Sequence, residues 1–202
     1  MMNKKIFQIA TSLALVFIFG QLGFAQDEKE TVLKSPGGES YGRQNRTIEI
    51  NRSGNYRLAD DVAVRNGDGI VITASNVNLN LNGYSVTTDN AGTGRGIFVS
   101  GARGVSVGNG KVSGFNSNVM IANSFNVNAE SLQIIGGGLA PNNGPTEVGV
   151  QIVNSRAVFV SRNTISAVNL GIFVRGGNSA GNRIFENTIV GGNNPANNLL
   201  GI

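Results

Sequence analysis

Five short phrases recur along this chain: "GIVI" at Gly69–Ile72, "GIFV" at Gly96–Val99, "NVMI" at Asn118–Ile121, "GVQI" at Gly149–Ile152 and "GIFV" again at Gly171–Val174. Their last residues, Ile72, Val99, Ile121, Ile152 and Val174, are spaced by 27, 22, 31 and 22 residues. A second phrase follows each first one and closes on Val86, Val112, Ile134, Ile165 or Ile189, with steps of 26, 22, 31 and 24. Two independent marks with nearly the same period define a repeat architecture in the solenoid range. Within each phrase apolar and other residues alternate, as in Val77-Asn78-Leu79-Asn80-Leu81, the period-two signature of strands with one buried face. No helical stripe stands out after residue 44. Strands this short, recurring with Gly and Asn turns between them, wind as a coil in which equivalent strands pair in parallel about 4.8 Å apart. The expectation is an all-β fold, a right-handed parallel β-helix of about five rungs over residues 47–202.

Composition agrees with that reading. Of 202 residues 29 are Gly, none is Cys, His or Trp, and only 14% are charged. Gly and Asn tolerate positive φ and so make tight corners. Asn163-Thr164-Ile165 and Asn187-Thr188-Ile189 occupy equivalent places, as do Asn123-Ser124 and Asn154-Ser155. Stacked Asn side chains at such corners can hydrogen-bond from rung to rung as a ladder, so these residues read as structural.

The N-terminus reads as an export signal: Lys4 and Lys5, an apolar run from Ile6 to Phe24, and small residues at Gly23 and Ala25, with cleavage after Ala25. No Cys follows the run, which excludes a lipid-anchored lipoprotein, and the fold uses no disulfide. Residues 1–25 are thus a signal peptide and 26–46 a polar, flexible leader. The compact basic start is bacterial in style. The expected location is secreted, periplasmic or cell-surface, with no membrane span after cleavage. Without Lys4 and Lys5, 14 basic residues face 12 acidic ones. Arg residues are scattered singly, which argues against nucleic acid as a partner.

"NRIFENTI" and "VFVSRNTI" are similar to β-helix repeats of the pectin-lyase-like superfamily, and the stretch from Ser53 resembles the opening of secreted proteins with a NosD-like β-helix domain. The resemblance spans Thr47 to Val190 and implies fold far more than activity, because one coil serves lyases, hydrolases, epimerases, adhesins and non-catalytic proteins. A pectate-lyase-like site would imply calcium held by acidic residues on the first-strand face. The outward position there reads Val71, Phe98, Met120, Gln151 and Phe173, with no carboxylate. Polygalacturonase-like and epimerase-like sites imply Asp together with His, and this chain has no His.

Asp60, Asp61 and Asp68 form the one acidic group that could hold calcium, although such residues more often make Asx turns at the edge of a coil, which is the reading preferred. Otherwise no cofactor is expected. Arg162 and Glu186 match across consecutive rungs and read as a surface ion pair. "GTGRG" at Gly92–Gly96 runs straight into a strand, unlike a phosphate loop. Two features exceed what a spacer needs. One is the apolar outward column Val71, Phe98, Met120, Phe173, interrupted by Gln151. The other is the insertion Gly136–Glu147 in the longest rung, with Asn142, Asn143 and Glu147 as its candidate binding residues. The expected function is an exported, non-catalytic binding scaffold for a protein partner or a second copy. The alternative is a lyase or hydrolase acting on an acidic polysaccharide, so a polysaccharide is the other partner class. "NNLLGI" at the end reads as a further phrase cut short, so a truncated chain or a cap from another surface is expected.

Overall fold

The computed structural model describes residues 30–34, 47–137 and 147–191. They form a parallel β-solenoid of about six turns built on two sheets, and no helix occurs among them. In chain order the strands are β1 (Thr31–Leu33), β2 (Ile48–Ile50), β3 (Gly54–Leu58), β4 (Val62–Val64), β5 (Ile70–Ile72), β6 (Val77–Asn80), β7 (Ser85–Thr88), β8 (Thr93–Ser100), β9 (Arg103–Ser113), β10 (Phe115–Ala122), β11 (Phe125–Ile135), β12 (Val148–Val153), β13 (Arg156–Ser161), β14 (Thr164–Ser166), β15 (Leu170–Arg175), β16 (Arg183–Phe185) and β17 (Thr188–Val190). β2, β5, β8, β10, β12 and β15 stack as one sheet, here sheet B. The remaining strands form the second, sheet A. Every strand pair is parallel, so each passage from sheet B through sheet A and back is one rung.

Both repeated marks become physical columns. Ile72, Val99, Ile121, Ile152 and Val174 are successive register partners, as are Val86, Val112, Ile134, Ile165 and Ile189. All are fully buried except Val174 and Ile189, which belong to the last described rung. Burying an aliphatic side chain of this size stabilises by about 1.5–3 kcal/mol, and stacking repeats the gain at every rung.

The rung count exceeds the expected five because a rung precedes the first phrase. Ile48 and Ile50 pair with Ile70 and Ile72, and Val62 pairs with Val86. That rung enters sheet B from Thr47, with neither Gly nor Asn, so the phrase does not mark it. Within the stretch read as leader, Thr31–Leu33 pairs in parallel with Tyr56–Leu58, and Glu30 accepts a hydrogen bond from Arg57 at 2.8 Å.

The corners are columns too. Gly101, Asn123, Asn154 and Gly176 follow one another in register where sheet B gives way to sheet A, and all have positive φ. Inside sheet A, Asn109, Ser131, Arg162 and Glu186 do the same and bend it. Asn tolerates this conformation, whereas Arg and Glu do so only where the surroundings fix it.

The expected Asn ladder is present. Asn163, buried, accepts from Leu132 N at 2.9 Å through Oδ1 and donates through Nδ2 to Ala129 O at 3.0 Å and to Asn187 Oδ1 at 2.9 Å. Ser124 and Ser155 form a second ladder: Ala102 N donates to Ser124 Oγ and Ser124 N to Ser155 Oγ. Asn163→Ala strands a buried backbone donor and acceptor and should cost about 1–3 kcal/mol, read as a lower thermal midpoint in calorimetry. A midpoint equal to that of the wild type would show that the ladder is decorative.

Candidate functional site

The outward column runs along sheet B as drawn from the sequence. Val71, Phe98, Met120, Gln151 and Phe173 are successive register partners, each partly buried. The pleat puts them outside because their neighbours on both sides point into the core. One correction applies. Glu49 pairs with Val71 and heads the column, so this position is not free of carboxylate. Glu49 is exposed at the N-terminal rung, away from the aromatic part of the column.

Phe98 is not a bare ring. The Arg95 guanidinium lies 3.6 Å above its centroid. That guanidinium is fixed by Asp68, which accepts from Arg95 Nε and from its backbone N at 2.8 Å and is also paired with Nη2. A half-buried cation over a ring contributes about 0.5–2 kcal/mol. The clamp explains how an aromatic side chain can stand on the outer face of a coil. Further along, Ser117 Oγ donates to Gln151 Oε1 at 2.7 Å, so the polar residue that interrupts the apolar run is tied to the neighbouring rung.

Asp60, Asp61 and Asp68 are not gathered around one point. Asp68 is committed to Arg95, and Asp61 Oδ1 accepts from Ser85 N at 2.8 Å, a bond to the next rung and not the local Asx turn expected. Among the described residues no three acidic side chains converge as a cation site requires.

Of the insertion, Asn142 and Asn143 lie outside the described residues. Glu147 is described and differs from a side chain held out to a partner, being buried at the base of the loop. Its Oε1 accepts from Gly137 N at 2.8 Å, its backbone N donates to Asn169 Oδ1 at 2.7 Å, and its carbonyl receives Asn169 N and Leu170 N. Glu147 therefore clamps the start and end of the insertion onto the next rung. Arg162 makes the expected pair with Glu186, 3.8 Å apart, and is also bonded to Glu130 one rung back. Both pairs are exposed and contribute about 0.2–1 kcal/mol.

Sequence reasoning passed over Arg95 and Ser117. Arg95 lies 27 residues from Asp68, one full rung, so the pair becomes visible only when the two phrases are aligned in register. The fold and this face define the class: a parallel β-solenoid with a half-buried apolar column on one sheet. No family model, no curated protein and no solved structure matches the chain.

Proposed function

We propose that this protein is an exported, non-catalytic binding scaffold whose sheet B face takes a protein partner or a second copy. We further propose that the coil is right-handed, the sense that strand twist favours, and akin to the pectin-lyase-like superfamily. The observation that carries the functional reading is the apolar column Val71, Phe98 and Met120 on three consecutive rungs, resumed at Phe173 after Gln151. It stands outward, with the Phe98 ring held in place by Arg95 and Asp68. Rigid, pre-positioned apolar side chains are what a protein contact uses, because little side-chain entropy is lost on docking. General acid and base work on a glycosidic bond uses two facing carboxylates, and among the described residues this face offers Glu49 at its end rung and Asp68, which is engaged by Arg95. Aromatic sugar platforms are commonly Trp or Tyr, and the chain has no Trp and three Tyr.

The test is Phe98→Ser combined with Phe173→Ser. The circular-dichroism spectrum should be unchanged, while the assembly seen by light scattering, or the partner retained in a pull-down from the exporting organism, should fall at least tenfold. Loss of the folded spectrum would place the rings in the core and remove the site. Incubation with pectate and alginate, with and without calcium, should release no unsaturated products or new reducing ends. Turnover of either polymer would overturn the reading.

A further inference from the structure

One register column faces outward at the turn from sheet B into sheet A. Arg103, Phe125 and Arg156 are the first residues of β9, β11 and β13 and pair with one another in register. Phe125 is 48% exposed, at a position where a polar side chain would fit without cost, and both arginines are exposed. Beside them opens a cleft of about 360 Å³, walled also by Asn123, Asn154 and Asn178, with no carboxylate in its lining. Arg156 is oriented from outside the column: its Nε donates to Asn178 O at 3.3 Å and its Nη2 to Asn178 Oδ1 at 3.1 Å. A guanidinium carries five N–H donors, so three remain for a ligand. Asn123 and Asn154 are held at left-handed corners of consecutive rungs, which fixes where their amides start.

We propose that this cleft docks an extended, acidic protein segment. Two guanidinium groups with no carboxylate among the described residues of the cleft wall select anionic side chains, which they can bind in bidentate fashion. The exposed ring between them offers an apolar contact that a ligand recognised by charge alone would not use. The Asn amides both donate and accept, as a peptide backbone requires. The spacing agrees. Arg103 and Arg156 stand two strand spacings apart, about 10 Å, and one turn of a polyproline-II chain, three residues at about 3.1 Å each, spans about the same and returns side chains i and i+3 to one edge. Carboxylates at positions i and i+3 of a segment in that form therefore reach both arginines, with an apolar side chain between them turned towards Phe125. Arg with an aromatic residue is also the composition of interface hot spots. The proposal rests on the binding-scaffold reading but uses the start of sheet A, not the sheet B column, so the two can fail separately.

The test is fluorescence anisotropy on the purified protein with a dye-labelled hexapeptide carrying glutamates three positions apart and a leucine between them. A counterpart with glutamines in their place is the control. The glutamate peptide should bind at least tenfold more tightly, and the preference should shrink as salt rises. Arg103→Ala with Arg156→Ala should weaken binding at least tenfold, and Phe125→Ser severalfold, with the circular-dichroism spectrum unchanged. Equal affinity for the two peptides would overturn the proposal, and this comparison needs no variant to fold. So would unchanged binding in the folded double variant, or tighter binding of polygalacturonate or a single-stranded DNA oligonucleotide through the same two arginines.

Discussion

Ile121→Asp should leave no folded coil at neutral pH. Ile121 is fully buried in the fourth rung, between Val99 on one side and Ile152 on the other. Removing the aliphatic side chain costs about 2–5 kcal/mol. Placing a carboxyl group there adds several more, whether it stays charged or is forced to take up a proton. Together these reach the whole stability of an ordinary domain, about 5–15 kcal/mol. Ile121→Val, which removes one methylene from the same place, should cost only about 0.5–1.5 kcal/mol. The sign of the pH effect follows from burial. A buried carboxyl has a raised pKa in the folded state, so the gap between Ile121→Asp and the wild type should narrow as pH falls below about 4, where the unfolded chain is protonated too. Denaturant melts of the three proteins at pH 7 and pH 3.5 measure this. A cooperative transition for Ile121→Asp at pH 7, with the wild-type midpoint, would mean that the column is not the core.

The strand columns were legible from the chain because each is written in one chemical language, Ile, Val or Leu at a nearly constant step. Corner asparagines were legible for the same reason. What the sequence hid are columns whose members differ in type. Arg103, Phe125 and Arg156 share a register position yet lie 22 and 31 residues apart and switch between a charged and an aromatic side chain, so periodicity of hydrophobicity cannot align them. Arg95 and Asp68 were hidden likewise, as a clamp across a step of 27 residues inside a coil whose next step is 22. Glu49 was missed because its rung begins with Thr47 in place of the phrase that marks the others. Glu147 shows a different limit. Composition places it in a loop, but only the contacts of Gly137 and Asn169 reveal that it is the loop's buried clasp.

The phrase "GIFV" opens with glycine for a reason that a single methyl group should expose. Gly69, Gly96, Gly149 and Gly171 directly precede the stacked core residues Ile70, Ile97, Val150 and Ile172 of sheet B, and Asn118 takes the same place before Val119. A Cβ on Gly96 would sit 2.3 Å from Val112 Cγ1, 2.5 Å from Asn118 O and 2.9 Å from the Phe115 ring. One of these atoms is the backbone carbonyl of the next rung, which can withdraw only if the strands part. Relief therefore requires opening the parallel ladder, and the cost lies at or above the upper end of the usual overpacking range of about 1–3 kcal/mol. Gly149 is under the same constraint, with Gly171 O 2.5 Å away. Positive φ is not the cause, since neither glycine adopts it. Gly177 supplies the control: a Cβ there meets nothing within 4 Å and its φ is ordinary. Gly96→Ala should therefore lose at least about 3 kcal/mol in a denaturant melt, while Gly177→Ala stays within about 0.5 kcal/mol of the wild type. Equal midpoints for the two variants would show that the rungs tolerate a side chain at this position, and glycine would then be dispensable to the repeat.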